Sequence, residues 1–183
     1  MEKKLFSTKM IVATGLGAAL FMVLFKFVAI PSPIPNTSIQ IAYSVAAFFG
    51  ALFGPICSGL IAFIGHALND ATSGWGVWWS WVIASGVSGV IMGLAYYRID
   101  FAKGFGKKEI ITFNVLQVIA NAVAWILVAP VLDIVIYAEP VNLVFSQGVL
   151  AAISNALTTG IVGTLLLVAY SKRSVKDASL DQE

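Results

Sequence analysis

Three stretches of this chain, roughly 9–30, 79–97 and 148–170, are apolar and long enough to cross about 30 Å of hydrocarbon unaided. Backbone polar groups at that depth must pair within the segment, so these stretches are expected to be helices. A fourth, about 110–131, carries Asn114, Gln117 and Asn121. The segment Ser38 to Ala71 is too long for one ordinary span, and Gly54-Pro55 interrupts it. Proline removes a backbone donor and disfavours helix in the residue before it. Two shorter helices follow, about 38–53 and 55–70, joined by a tight turn. The expectation is an all-α integral membrane protein with six transmembrane helices in one membrane domain, 1–183, ending in a polar cytoplasmic tail over 171–183. Composition agrees, with 59% hydrophobic and 11% charged residues, where a soluble domain is about a quarter charged.

Charge orients the spans. With the N-terminus in the cytoplasm, Lys3, Lys4 and Lys9 lie inside, as do Arg98, Lys103, Lys107 and Lys108 between the fourth and fifth spans, and Lys172, Arg173 and Lys176 in the tail. Ten of the eleven basic residues are then cytoplasmic, as the positive-inside rule requires. Lys26, near the outer end of the first helix, is the exception. The outer loops carry Asp70, Asp133 and Glu139 and no basic residue. Both termini are therefore expected in the cytoplasm. The basic N-terminus before an apolar run resembles a signal peptide, but the run reaches Ile30 and no clear cleavage site follows. It is read as an uncleaved first helix. Cys57 is the single cysteine, so no disulfide forms within the chain.

The polar residues at membrane depth are few, and such groups usually face a cavity or one another. His66, the only histidine, is followed by Asn69 and Asp70. At i, i+3 and i+4 they share one face at the outer end of the third helix. A Gly74-x-Gly76 turn comes next, with four tryptophans in seven residues, Trp75, Trp78, Trp79 and Trp81. Lys26, Gln40 and Tyr43 also lie towards the outside, as do Asn121 and Trp125 on one face of the fifth helix. Asn142, Ser146 and Gln147 precede the sixth. These residues are candidates to converge on one outward-open cavity. Simpler roles stand beside that one. Lys26 could snorkel to headgroups, His66 could be a packing partner of Asp70, and Trp79 and Trp81 could form an aromatic belt. The loop IPSPIPNTS, 30–38, with three prolines in five positions and Asn36 near its end, favours extended backbone. It fits either a cover over the outer face or a plain connector.

Helix one reads ATGLGAAL from Ala13 to Leu20. Two rows of small residues four apart, Ala13 with Gly17 and Gly15 with Ala19, allow close approach of another helix. A docking face and internal packing both fit. Ser85, Gly89 and Gly93 form a similar row on the fourth helix.

Several chemistries are excluded. The chain has no P-loop, no HExxH metal site, no carboxylate cluster for metal-dependent phosphoryl transfer and no basic stripe for nucleic acid. No metal site and no intrinsic cofactor are expected, and the chain does not read as an enzyme. A self-sufficient ion-coupled carrier would usually place a carboxylate at mid-membrane, and none is expected there.

The strings VATGLGAALF (12–21), VAIPSPIPNTSI (28–39), FGALFGP (49–55), GHALNDA (65–71) and WWSWVIASG (78–86) resemble the substrate-binding S-components of energy-coupling factor (ECF) vitamin transporters. The resemblance runs from about 8 to 170 and is closest to the cobalamin-specific type. It implies a bacterial, multi-pass subunit of the cell membrane that captures a vitamin, cobalamin first, at the outer face. It implies partners too: a transmembrane coupling protein of the EcfT type and two cytosolic ATPases, which would use the ATP. The docking motif would map to Ala13 and Gly17 and the lid to 31–37. The substrate-binding residues would be drawn from Lys26, Asn36, Gln40, Tyr43, His66, Asn69, Asp70, Trp75, Trp78, Asn121, Trp125, Asn142 and Gln147, with His66 a candidate neighbour of cobalt. Alternatives are a smaller vitamin (a thiamine precursor, riboflavin or a pyridoxine-like compound), or an orphan membrane accessory protein or enzyme.

Overall fold

The computed structural model of the protein describes residues 7–180, with side chains as far as 174. Lys3, Lys4 and residues 181–183 lie outside the described residues. The described chain is helical apart from one short hairpin and the connections. Its helices are α1 (Thr8–Phe27), α2 (Tyr43–Phe53), α3 (Pro55–Ala71), α4 (Trp79–Gly93, with a 3-10 turn to Tyr97), α5 (Lys107–Tyr137) and α6 (Val141–Ser174, continuing to Leu180). Helices α1, α4 with its 3-10 turn, α5 and α6 are long and apolar enough to cross a membrane. Their outward faces carry large apolar side chains, such as Leu16, Val135, Ile161 and Leu165. Aqueous proteins seldom expose so much apolar surface.

Local chemistry explains the helix ends. Ser7 Oγ accepts the Met10 N–H at the start of α1, an N-cap bond. Gly54, at φ 97°, turns the chain between α2 and α3, and Pro55 opens α3. At the first helical position proline loses no bond it would otherwise make. Gly74 and Gly76, at φ 91° and 86°, form the turn after α3, as the sequence indicated.

Three boundaries differ from expectation. Helix α2 starts at Tyr43 rather than 38, because Ile30–Pro31 and Ser38–Ile39 pair as an antiparallel hairpin. Helix α5 does not stop at 131 but continues through Pro130 to Tyr137. The six residues Val123–Val128 just before it are π-helical. The wider turn accommodates the proline ring and its missing donor. Helix α6 begins at Val141 rather than 148, has a second π-helical stretch at Thr159–Gly163, and runs to Leu180. Part of the expected tail is thus helix.

Small residues hold α2, α3 and α4 together. Helix α2 has no exposed residue and sits at the centre of the bundle. A Cβ at Gly50 would meet Ser58 of α3 at 2.7 Å, one at Gly89 of α4 would overlap the Ser58 carbonyl, and one at Gly93 would overlap Pro55. The row Ser85, Gly89, Gly93 is therefore internal packing. Helix α1 separates its two small rows. Ala13 and Gly17 are buried, and a Cβ at Gly17 would strike Ile61 of α3. That row faces inwards because α1 packs on α3. Gly15 and Ala19 are the exposed pair, and a Cβ at Gly15 meets nothing within 4 Å.

Gly89→Val should lower the thermal unfolding midpoint of the detergent-purified protein, with about 1–3 kcal/mol lost to overpacking. Gly15→Ala should leave it unchanged or raise it slightly, since alanine is the better helix former by roughly 0.5–1 kcal/mol.

Candidate functional site

The end of the bundle remote from Arg98, Lys107 and Lys172, which the sequence reading expects to face outwards, holds a cavity of about 710 Å³. The ends of α1 and α3, the starts of α2, α4 and α6, and the outer part of α5 all contribute to it. The proline loop lies across it, and residues from Pro31 to Ser38 line it. The loop is braced from within, since Ser32 Oγ donates to the Thr37 carbonyl at 2.7 Å and accepts the Ile34 N–H at 3.2 Å. Asn36 takes φ 54° at its tip. Gln147 Nε2 of α6 donates to the Pro35 carbonyl at 2.9 Å. The loop is therefore a cover tied to α6 rather than a plain connector.

Hydrogen bonds run in chains along the cavity wall. Tyr43 O–H and Ser85 Oγ are 2.8 Å apart, and Ser85 Oγ lies 2.6 Å from His66 Nδ1. Nε2 of the same ring faces Asp70 Oδ1 at 3.6 Å. Ser85 Oγ also donates to the Trp81 carbonyl at 2.9 Å, which leaves its lone pairs for the Tyr43 hydroxyl and the His66 ring. Asp70 also accepts the Asn69 amide at 3.2 Å and the Trp78 backbone N–H at 3.1 Å. Both His66 nitrogens thus face protein atoms and its ring packs on Phe25, 4.5 Å between centroids. This geometry joins α2, α3 and α4.

The opposite wall is aromatic. Trp81 stacks on Trp125 with centroids 5.3 Å apart, Tyr43 meets Trp125 edge-on at 5.2 Å, and Trp78 stacks on Tyr137 at 4.3 Å. Asp133 anchors this wall. It accepts Trp78 Nε1 at 2.7 Å and Trp81 Nε1 at 2.6 Å, together with the Ser80 hydroxyl. The sequence reading put Asp133 in an outer loop. It is 1% exposed, because α5 runs on past Pro130. Its carboxylate lies within a membrane-length helix, where none was expected.

Most of the predicted residues converge. Asn36, Gln40, Tyr43, His66, Asn69, Asp70, Trp75, Trp78, Trp125 and Gln147 line the cavity. Lys26, Asn121 and Asn142 do not. Lys26 is exposed beside an adjoining shallow hollow and donates to the Thr72 carbonyl and hydroxyl at 2.9 and 3.1 Å. Asn121 stands behind the wall and accepts Trp125 Nε1 at 2.9 Å. Asn142 is exposed in the first turn of α6, a turn the sequence reading had left outside the helix.

Residues missed were Trp81, Asp133, Glu139 and Asn155, all of which line the cavity. Helical spacing carried the signal for three of them. Trp78, Trp81 and Ser85 fall at i, i+3 and i+7, which puts Trp81 inwards and Trp79 outwards. Asn121, Trp125 and Asp133 share a face once α5 is allowed to continue, and Asn155 lies two turns beyond Gln147 on α6. Glu139 carried no periodic signal, being in the loop after α5. Trp79 keeps a place on the outer surface at 47% exposure, as expected of an interfacial tryptophan.

Two of the residues that line the cavity, Gln40 and Asn155, each carry a polar atom without a protein partner. Gln40 Oε1 and Asn155 Oδ1 are buried and accept no hydrogen bond. Three carboxylates line the space, those of Asp70, Asp133 and Glu139, and no lysine or arginine does.

Comparison with known proteins adds the following. A family model described as the ECF-type riboflavin transporter, S component, matches residues 5–172. A UPF0397 protein of Exiguobacterium is 55% identical over 179 residues, covering 97% of this chain and 98% of that one. A UPF0397 protein of Lactococcus lactis subsp. cremoris is 51% identical over 178 residues, covering 97% and 98%. Another, of Lactobacillus acidophilus, is 49% identical over 178 residues, covering 97% and 96%. No solved structure matches the chain.

Ser85→Ala should strand the Tyr43 hydroxyl and His66 Nδ1 together. The expected loss is about 1–3 kcal/mol for each buried group left unpaired, read as a lower unfolding midpoint in detergent. Ser88→Ala is the control, because Ser88 Oγ is buried without a partner and its removal should be neutral or stabilising.

Proposed function

The chain belongs to the ECF-type riboflavin transporter S-component family, and from that premise we propose that it binds a flat heteroaromatic vitamin of flavin size in the outer cavity and passes it inwards by docking on a coupling module. The family is one of transporter subunits and not of enzymes. The chain is a multi-pass membrane protein. Its family implies an ECF module as partner, a transmembrane coupling protein with ATPases.

The observation that carries the reading is the cavity. Its volume of about 710 Å³ falls inside the roughly 300–1,000 Å³ typical of small-molecule sites. That space suits a tricyclic ring system with a short side chain better than a whole corrinoid with its nucleotide tail. The Trp81–Trp125 stack, Trp78 and Tyr43 offer faces to a flat ring, which aromatic side chains favour. Gln40 and Asn155 line the same space and offer side-chain amides to the polar edge of such a ring. The carboxylate lining disfavours an anion, so the vitamin enters unphosphorylated. Cobalamin, the first expectation from resemblance, draws no specific support from the family match, and the volume speaks against it.

We further propose six crossings in a single membrane domain, with both termini in the cytoplasm. Connections 28–42, 72–78 and 138–140 meet at the cavity end. Lys9, Arg98, Lys103, Lys107, Lys108, Lys172 and Arg173 gather at the other, which supports a cytoplasmic inner end. Helices α2 and α3 form one down-and-up pair turning at Gly54. Docking then goes through the exposed Gly15–Ala19 row of α1, which permits close helix approach, in place of Ala13 and Gly17.

Titration of the detergent-purified protein, followed by tryptophan fluorescence, should show saturable quenching by riboflavin. Flavin mononucleotide should bind at least about tenfold more weakly from charge repulsion, and cobalamin more weakly still. Tight cobalamin binding without riboflavin binding would reverse the assignment. Gln40→Leu and Asn155→Leu should each weaken riboflavin by about tenfold, one hydrogen bond to a buried group. Gly15→Trp should abolish co-purification with the coupling protein and ATPases and leave riboflavin titration unchanged. Gly17→Trp should instead unfold the α1–α3 contact.

A further inference from the structure

We infer that Asp133 is the positioning residue of the site: its carboxylate orients Trp78 and Trp81 from behind and makes no contact with the ligand. The inference rests on the reading of the cavity as a vitamin site. The oxygens of Asp133 are already engaged. Oδ1 takes Trp78 Nε1 at 2.7 Å and the Ser80 hydroxyl, and Oδ2 takes Trp81 Nε1 at 2.6 Å. At 1% exposure the side chain offers almost no surface to an incoming molecule.

The donors are what make this arrangement selective. An indole N–H can only donate, so a single carboxylate can hold two tryptophans by their polar edges and fix both ring planes. Trp78 immediately precedes α4 and Trp81 lies in its first turn, and Asp133 receives the indole N–H of each. Asp133 reaches them from α5. One side chain therefore sets two rings and ties two helices at the outer end of the cavity. The far sides of the rings are held by stacking, Trp78 on Tyr137 at 4.3 Å and Trp81 on Trp125 at 5.3 Å. Trp125 is pinned in turn by Asn121 at 2.9 Å. The ion pairs among the described residues join His66 to Asp70 and Lys103 to Asp100, so donors rather than a cation compensate the Asp133 charge. Charge-assisted bonds of this kind are the strong ones.

Asparagine has nearly the same shape but one acceptor oxygen, and its amide nitrogen would point donor to donor at an indole. Asp133→Asn therefore releases one ring without opening a cavity. Its near-ultraviolet circular dichroism, measured without ligand, should lose much of the tryptophan signal of the wild type. Its affinity for riboflavin should fall by about tenfold or more. Asp133→Glu, which keeps the acceptors, should recover part of both. A second substitution, Trp81→Phe, should cost far less in the Asp133→Asn background than in the wild type, because the ring is already free.

An unchanged ligand-free spectrum would overturn the inference whatever the ligand proves to be. A changed spectrum with unchanged affinity would overturn it too, since the oriented rings would then not be the ligand's wall. Affinity lost with the spectrum intact would make Asp133 a direct contact, also against the inference. If Asp133→Asn does not fold, Trp78→Phe and Trp81→Phe each remove one indole donor and keep a ring. Weakened binding in both supports the inference, and unchanged binding in both overturns it. A wild-type protein that binds no vitamin defeats the preceding section alone, and the ligand-free spectrum still decides the role of Asp133.

Discussion

A polar group surrounded by hydrocarbon has to find its partner inside the protein, and much of this structure follows from how that demand is met. Asp133 takes three donors, two of them indoles. Asn114, Gln117, Asn121 and Trp125 form a ladder on one face of α5, in which Gln117 also reaches the Ala156 carbonyl and Asn114 the Thr164 hydroxyl of α6. Tyr43, Ser85 and His66 do the same across α2, α3 and α4. Lipid is as apolar as leucine, so greasy contact alone gives helices little reason to associate. These polar chains supply one, and because they run up to the cavity they also hold its walls.

The two sides of the bundle are joined differently. Helices α2, α3 and α4 meet through glycine and serine, backbone against backbone. Helices α5 and α6 meet through amides and two π-helical stretches, with Gly148 so close to the Trp125 carbonyl that a Cβ there would overlap it. The cavity opens at one end of the bundle, where all six helices contribute to its lining. On one side stand His66, Asn69 and Asp70, on the other Trp81, Trp125 and Asp133, and the hairpin-closed proline loop covers the gap. A ligand arriving there meets walls that are already hydrogen-bonded, with the amide side chains of Gln40 and Asn155 among the lining residues. Preformed walls reduce the ordering cost of binding.

Much of the site was legible from spacing. His66, Asn69 and Asp70 declared a polar face, Gly74 and Gly76 declared the turn, and Gly54-Pro55 divided the long apolar segment correctly. A span ending at 131 cuts Asp133 out of α5 and hides its alignment with Trp125. A π-helical turn absorbed the proline, and local sequence rules do not foresee that. The small rows of α1 were read without a direction, and which of them faces lipid depends on where α3 lies. Trp79 and Trp81 look alike in the sequence, yet the helix turns one outwards and the other onto Trp125.

What the sequence by itself determined is the class of solution. Long uncharged runs demand helices, basic residues gathered in a few segments orient them, and polar residues clustered near one set of ends predict where a site forms. Each depends on a property of a segment alone: its length, its charge, its period. Only the tertiary structure decided which polar atoms are used up and which remain open. Asp133 and His66 turn to protein partners, Gln40 and Asn155 line the cavity with one acceptor each unpaired, and Lys26 and Asn142 stay outside it. Hydrogen bonding is a matter of pairwise geometry within about 3 Å, and no segment contains the coordinates of its partner.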